Sequence, residues 1–419
     1  MAILRLALQS LLNRRFTALL TVLSIALSVA LLLGVERVRN EARASFANTL
    51  SGTDLIVGAR SGPVQLMLYA VFRIGNATNN ISWQSYQDIA AMPRVAWTVP
   101  LALGDSHRGF PVLGTSTAYF DHYRYGRDKP LALAKGERFA DLYDAVLGAE
   151  VAAALGYRLG DAIIVAHGAS DVSFARHEDK PFRVVGILER TGTPVDRTVH
   201  ISLEAIEAIH LGWEGGAPMP GRRIDAEQAR AMDLTPKTIT AMLVGLDSRV
   251  ATFALQRRIN EYPREPLLAV LPGVALTELW SVIGLAENAL LAVSAFVVLV
   301  GLIGMLTALL IGLEGRRREL AILRSLGARP AQVLGLIIGE ALLLTVLGML
   351  VGMGLLVALL TFGQPLIEAR LGLQLGFGLP KPREWLLLGA VLVTGLAVGL
   401  IPGWRAYRMS LSSGLSLRL

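Results

Sequence analysis

Residues 16–35 read FTALLTVLSIALSVALLLGV, twenty positions without a charge. At about 1.5 Å per residue a helix of that length crosses the hydrocarbon core of a bilayer, roughly 30 Å thick. Lipid offers the backbone no hydrogen-bond partners, so only a helix or a closed barrel can span it. Three more runs of this kind lie at 288–313, 341–367 and 385–404. Between the first and second runs stretches a long segment of ordinary mixed sequence. The pattern is one span, a large domain, then three spans. The expected fold class is therefore an α-helical membrane protein with four transmembrane helices and a large α+β extracytoplasmic domain between helices one and two.

The composition agrees: 53% of the 419 residues are hydrophobic, and the excess sits in these runs. The net charge of +7 is topological rather than a nucleic-acid footprint. Arg5, Arg14 and Arg15 precede span one, Arg316, Arg317, Arg318, Arg324 and Arg329 separate spans two and three, and Arg405, Arg408 and Arg418 follow span four. With four spans these segments share one side, which the positive-inside rule makes cytoplasmic. No aromatic–arginine interleaving suggests a nucleic-acid surface. Cysteine is absent, which excludes disulfides and thiolate metal sites in this sequence. A cleaved signal peptide is the alternative for the first run. Its length and the lack of a small-x-small cleavage site favour a retained span. The expected location is a bacterial inner membrane, with the large domain in the periplasm.

Residues 1–15 place leucines on one face and polar residues on another, as an amphipathic helix at the cytoplasmic interface or, alternatively, as the cytoplasmic end of span one. Val35, Val38, Ala42, Phe46 and Leu50, and before span two Leu276, Leu279, Ile283 and Leu290, recur at helical spacing, so both spans are expected to continue outward as stalks. Within the domain at 36–287, runs at 53–57, 96–99, 162–166, 182–188 and 241–245 read as strands, and 145–155, 203–210 and 249–261 as helices. Strands come from both ends of the domain, which suggests a unit built from distant segments with a subdomain inserted at about 130–230. The third crossing is set at 333–361, flanked by a cytoplasmic loop at 314–332 and a short outer loop at 362–384. Residues 405–419 form a cytoplasmic tail. The apolar stretch at 63–74 reads as domain core or, alternatively, as a surface for membrane, substrate or a second protomer.

Residues 314–328, EGRRRELAILRSLGA, resemble the cytoplasmic loop of FtsX/MacB-type permeases of ABC transporters. Gly339-Glu340-Ala341, opening a glycine-rich span, and IPGWRAYR at 401–408 are similar to that family's third and fourth helices. VLGAEVAAALGYRLGDAIIV at 146–165 and FRVVGILERTGTPVD at 182–196 resemble the inserted subdomain of macrolide-exporter-type permeases. The resemblance implies a permease subunit, not itself an enzyme, that works as a homodimer with a dimeric cytoplasmic ABC ATPase. In that picture ATP hydrolysis moves the outer domains and drives export or extraction of a periplasmic or membrane-held substrate. A periplasmic adaptor is a further implied partner. The phosphate-binding pattern G-x-x-x-x-G-K-[ST] is missing from these residues, so ATP and magnesium are expected on the ATPase and no cofactor or metal on this chain.

Physically, the 314–328 segment suits docking. Leu320, Leu323 and Leu326 form an apolar ridge, Glu314 and Arg318 are spaced as an i,i+4 pair, and Gly327 is placed to end the helix. With Arg317, Glu319 and Arg324 these are the candidate ATPase-coupling residues. The bland alternative is a solvated basic loop, but exposed leucines call for a partner. Glu340 is the carboxylate inside an apolar span. A proton relay would need companions, so pairing with a loop arginine is the favoured reading. Gly348 and Gly352, with Gly301, Gly304 and Gly354, allow close helix approach, within a protomer or between protomers. Pro402 is expected to bend or stop span four. His167, Asp171, His177, Glu178 and Asp179 admit a metal site, though a polar hairpin tip is favoured. Competing functions are signalling to a periplasmic partner such as a cell-wall hydrolase, lipoprotein extraction as part of a heterodimer, a role in metal homeostasis, and a tethered binding module without an ATPase.

Overall fold

The computed structural model describes residues 14–167, 177, 179–212, 224–371 and 380–408. The expected amphipathic helix at 1–15 lies almost wholly outside them, as do Asp171, Glu178 and the tail beyond 408. The chain divides into two compact units, Met1–Ala42 with Gly284–Leu419, and Arg43–Ile283.

The second unit is built on one mixed sheet. Its strand order is Leu267–Val270, Leu55–Ala59, Ala241–Leu246, Val95–His107, Phe110–Thr115, Val199–Ser202, Asp144–Leu147, Phe182–Leu188 and Leu133–Gly136. The first five come from the two ends of the domain and the last four from its middle. They join where Val112 sits opposite Val199 in a parallel pair. The sheet thus runs through the expected inserted subdomain without a break.

Leu55–Ala59 is buried at every position because both faces are covered. Ile56 points into one core with Leu66 and Tyr69, while Leu55 and Val57 enter a second with Ile81 and Ile89. A strand covered on both sides reads as a continuous apolar run. Pro63–Ala70 is a helix begun by its own proline. Leu66, Met67, Tyr69, Ala70, Val71 and Phe72 are buried in the first core, which settles most of the 63–74 stretch as interior. Ser82 and Ser202 cap the helices that follow them by accepting from the amides of Ser85 (3.2 Å) and Ala205 (3.1 Å).

One element differs in kind from the sequence reading. The expected helix at 145–155 is a strand, Asp144–Leu147, followed by an extended Gly148 and then the helix Ala149–Leu155. Ala145, Val146 and Leu147 are fully buried between two neighbouring strands, and a helix here would leave the facing backbone groups of those two strands unpaired. Other differences are of extent. The strand expected at 96–99 runs over Val95–His107, and that expected at 162–166 is two short strands, Ala162–Ile163 and Ala166–His167. The helix at 249–261 is a short 3-10 turn, Arg249–Ala251, followed by Thr252–Asn260.

Among the described residues, the first unit contains four apolar helices long enough to cross a membrane, within Arg15–Asn48, Pro272–Gly315, Pro330–Leu371 and Pro382–Arg408. The first two continue beyond the unit's limits. Phe46, near the end of the first, packs its ring 4.4 Å from Phe72 and 5.6 Å from Trp280. The third helix exceeds the expected span at both ends. Pro330 is its first residue, and 362–371, expected as loop, are helical because LIEARL is a run of good helix formers. Pro402 does not stop the fourth helix, which continues to Arg408.

Glycines set the helix spacing in this unit. A Cβ on Gly348 would stand 2.5 Å from Ile25, and one on Gly352 2.7 Å from the Ala26 carbonyl oxygen. These two glycines therefore seat the third helix on the first within one chain. Gly395, Gly399 and Gly403 present a matching stripe against Thr345, Ala341 and Leu334 of the third helix. Gly304 and Gly354 have open space above them.

Candidate functional site

The Pro272–Gly315 helix ends at Arg316, whose backbone (φ −107°, ψ 7°) leaves the helical region. A second, nine-residue helix then runs over Arg317–Ser325. Its stop is a Schellman motif: the Ala328 amide donates to the Leu323 carbonyl (3.1 Å) and the Gly327 amide to the Arg324 carbonyl (3.1 Å). Gly327 holds φ +98°, open to glycine and costly for other residues. Pro330 then opens the third membrane helix. The expected terminator glycine is thus at the stop itself.

The break changes which charges meet. Glu314 pairs with Arg317 (3.1 Å) and Arg405 (3.6 Å) rather than with the expected Arg318, because the chain leaves the helix between them and the i,i+4 geometry is lost. Arg316, absent from the sequence-based candidates, turns inward. Its Nη1 donates to Glu340 Oε1 at 2.7 Å, and its Nε lies 3.3 Å from Glu319 Oε2. Both Arg316 and Glu340 are largely buried, and Glu340 lies ten positions into the third membrane helix. The intramembrane carboxylate is therefore neutralised by the residue at which the second helix breaks.

The apolar ridge is split. Leu320 is buried, with Leu313, Val333, Leu336, Ile337 and Ala406 around it. Leu323 and Leu326 are exposed, Leu326 by 80%, and Ile322 joins them on the outer side. Leu320 faces the membrane helices, where Leu313, Val333, Leu336 and Ile337 cover it. Leu326 lies past the last helical residue and so projects freely. The segment presents Ile322, Leu323 and Leu326, an uncovered apolar surface on a short helix fixed at both ends. Ile322 was legible in principle as one more aliphatic residue, but its face depends on the phase.

Among the described residues no group of three or more histidine, aspartate or glutamate side chains is arranged to hold a metal. The suggested cluster at 167–179 falls partly outside those residues. His177 is fully buried, which does not suit an exposed hairpin tip.

Residues 18–262, more than half of the chain, match the family model for the MacB-like periplasmic core domain, and residues 291–412 match that for the FtsX-like permease C-terminal region. The chain belongs to the FtsX/MacB-type permease family. With that, the four apolar helices are the spans of an inner-membrane protein, and the Arg43–Ile283 unit is its α+β extracytoplasmic domain. The family is that of membrane permease subunits of ABC transporters. The macrolide export ATP-binding/permease protein MacB of Azoarcus sp. (strain BH72) is 24% identical over 415 residues, which cover 97% of this chain and 58% of that protein. The permease thus spans less than two thirds of that relative's length. Two solved structures are similar to it. The periplasmic region of MacB from Actinobacillus actinomycetemcomitans is 12% identical, with a TM-score of 0.33, covering 55% of this chain and 94% of its own. The extracellular domain of the noncanonic ABC-type transporter YknZ from Gram-positive bacteria is 13% identical, with a TM-score of 0.30, covering 52% of this chain and 99% of its own.

Proposed function

We infer that this permease receives mechanical work from a cytoplasmic ABC ATPase through the Arg317–Ser325 helix and passes it to the periplasmic domain, driving export or extraction of a periplasmic or membrane-held substrate. The observation that carries the reading is the bare ridge of Ile322, Leu323 and Leu326 on a short helix pinned at both ends. A surface on a rigid element transmits a push, whereas the same residues on a loose loop would absorb it. The ATPase is supplied from outside these 419 residues and works on a dimer of the permease. Two helices that run unbroken past their membrane segments, Arg15–Asn48 and Pro272–Gly315, suit transmission, since a helix bends little without a kink. The test is co-purification of the ATPase with the double variant Leu323→Asp, Leu326→Asp. Loss of the ATPase with membrane insertion intact supports docking; retention of the ATPase overturns it.

A further inference from the structure

A small cavity of about 40 Å³ lies between the first three membrane helices, beside the Arg316–Glu340 pair. Arg14 and Arg316 supply two guanidinium groups to its wall and Glu340 one carboxylate. Arg316 is committed to Glu340 and Glu319. Arg14 is not: among the described residues it has no carboxylate partner. Its guanidinium lies on the second helix over Gly312 and Gly315. A Cβ at Gly312 would collide with Nη1, and one at Gly315 would stand 3.1 Å from Nη2. Two glycines three residues apart thus make the seat that holds this cation at the cavity.

An unpaired arginine at the end of a membrane helix draws an anion, and the planar guanidinium fork matches the oxygens of a phosphate. The volume admits about three water-sized groups, enough for the free oxygens of one phosphate and too little for a whole headgroup. Apart from Thr17 and Thr21, the remaining wall is apolar, with Leu309, Leu313 and Leu344 among its residues. That surface suits acyl chain, which a soluble phosphate lacks. We propose that this cavity binds the phosphate of an anionic phospholipid, whose single negative charge is met by the Arg14 guanidinium. Basic recesses between membrane helices are suited to such headgroups.

The test is native mass spectrometry of the full-length permease released from membranes and titrated with phosphatidylglycerol. The wild type should keep one lipid under activation that strips all others. Arg14→Gln should weaken that adduct about fivefold, the loss of one basic contact. Gly312→Val should weaken it as much, since it fills the arginine's seat without changing the net charge. Arg408→Gln, which removes a cation from the end of the fourth helix, should leave it unchanged. Equal binding by Arg14→Gln and the wild type overturns the proposal, as does an equal loss in Arg408→Gln. Displacement of the lipid by inorganic phosphate would assign the cavity to soluble phosphate and overturn the lipid assignment. Both Arg14→Gln and Gly312→Val are first checked for unchanged monodispersity, so a folding failure in one leaves the other as the test.

Discussion

Arg316 Nη1 and Glu340 Oε1 stand 2.7 Å apart, joining the break after the second membrane helix to the interior of the third. Both side chains are largely buried. Losing one partner of such a pair leaves a charge stranded in a poor solvent, at a cost of about 3–5 kcal/mol. Glu340→Ala should therefore lower the thermal midpoint in detergent far more than Glu340→Gln, which keeps an acceptor for the guanidinium. If the pair also fixes the docking helix, Glu340→Ala should weaken ATPase stimulation more than the lost stability accounts for. Equal midpoints for the two variants would remove the pair from this role.

The split ridge predicts opposite phenotypes for neighbouring leucines. Leu320 is buried among Val333, Leu336 and Ile337, so Leu320→Ala should destabilise by about 2–3 kcal/mol, the range for a truncated core leucine. Leu326 is 80% exposed. Leu326→Ala should leave the midpoint within about 0.5 kcal/mol of wild type and reduce only the association with the ATPase. Ile322→Asp should act like Leu326→Asp. Thermal unfolding set beside a pull-down separates the two classes.

Much of this architecture can be read from the sequence, and the exceptions share a cause. An uncharged apolar run of twenty residues is long enough to cross lipid as a helix, so residues 16–35 read as a span, with a cleaved signal peptide as the competing reading. Gly327 was legible because few residues other than glycine accept its φ of +98°. By contrast, Ala145-Val146-Leu147 is an apolar run too short to have a period, and strand or helix was decided by neighbours distant in sequence. Leu320 was read as part of the exposed ridge, but residues distant in sequence, Val333, Leu336, Ile337 and Ala406, cover it. The Gly395–Gly399–Gly403 spacing was visible, but which helix it faces depends on tertiary packing. Glu340 needed a partner on energetic grounds, and the nearest loop supplied the arginine.

The seat of the third helix on the first predicts a steep size dependence. Gly348 faces Ile25, and Gly352 faces the Ala26 carbonyl oxygen, a backbone atom that cannot rotate away. Gly352→Val should therefore cost more than Gly354→Val, which meets open space. A difference of about 1–3 kcal/mol is expected for overpacking. Comparable thermal midpoints for the two valine variants would argue against this contact.

His200 gives the periplasmic domain an acid sensitivity whose sign is fixed. The ring is fully buried beside Tyr119 and Phe120, with Nδ1 3.2 Å from the Val146 carbonyl oxygen. Burial, aided by repulsion from Arg73, pushes its pKa down to about 3. The unfolded chain, with a histidine near 6.5, therefore takes up the proton first. Its contribution to stability is intact above about pH 6.5 and falls as the pH drops toward 3. His200→Leu should flatten this part of the dependence. The urea midpoint of the full-length permease should fall less between about pH 7.5 and pH 5 in the variant than in the wild type. An equal fall would assign the sensitivity elsewhere.

At the other end of the four-helix unit Glu36 is fully buried and accepts from Arg39 (2.9 Å) and Asn40 (3.0 Å), while Arg383 approaches from the fourth helix at 3.4 Å. The two arginines are not equivalent. Arg39 is buried with its partner, whereas Arg383 is 58% exposed and reaches water. Glu36→Ala leaves Arg39 buried without its carboxylate and should cost about 3–5 kcal/mol. Arg383→Ala removes a contact largely screened by solvent and should cost about 1 kcal/mol or less. Replacing Glu36 and Arg39 together by leucine and methionine should recover most of the loss, because a buried pair and an apolar pair of similar volume are close in stability. Thermal midpoints of the three variants check this ordering. A double variant no more stable than Glu36→Ala would mean that the cost lies in packing around Glu36 and not in a stranded guanidinium.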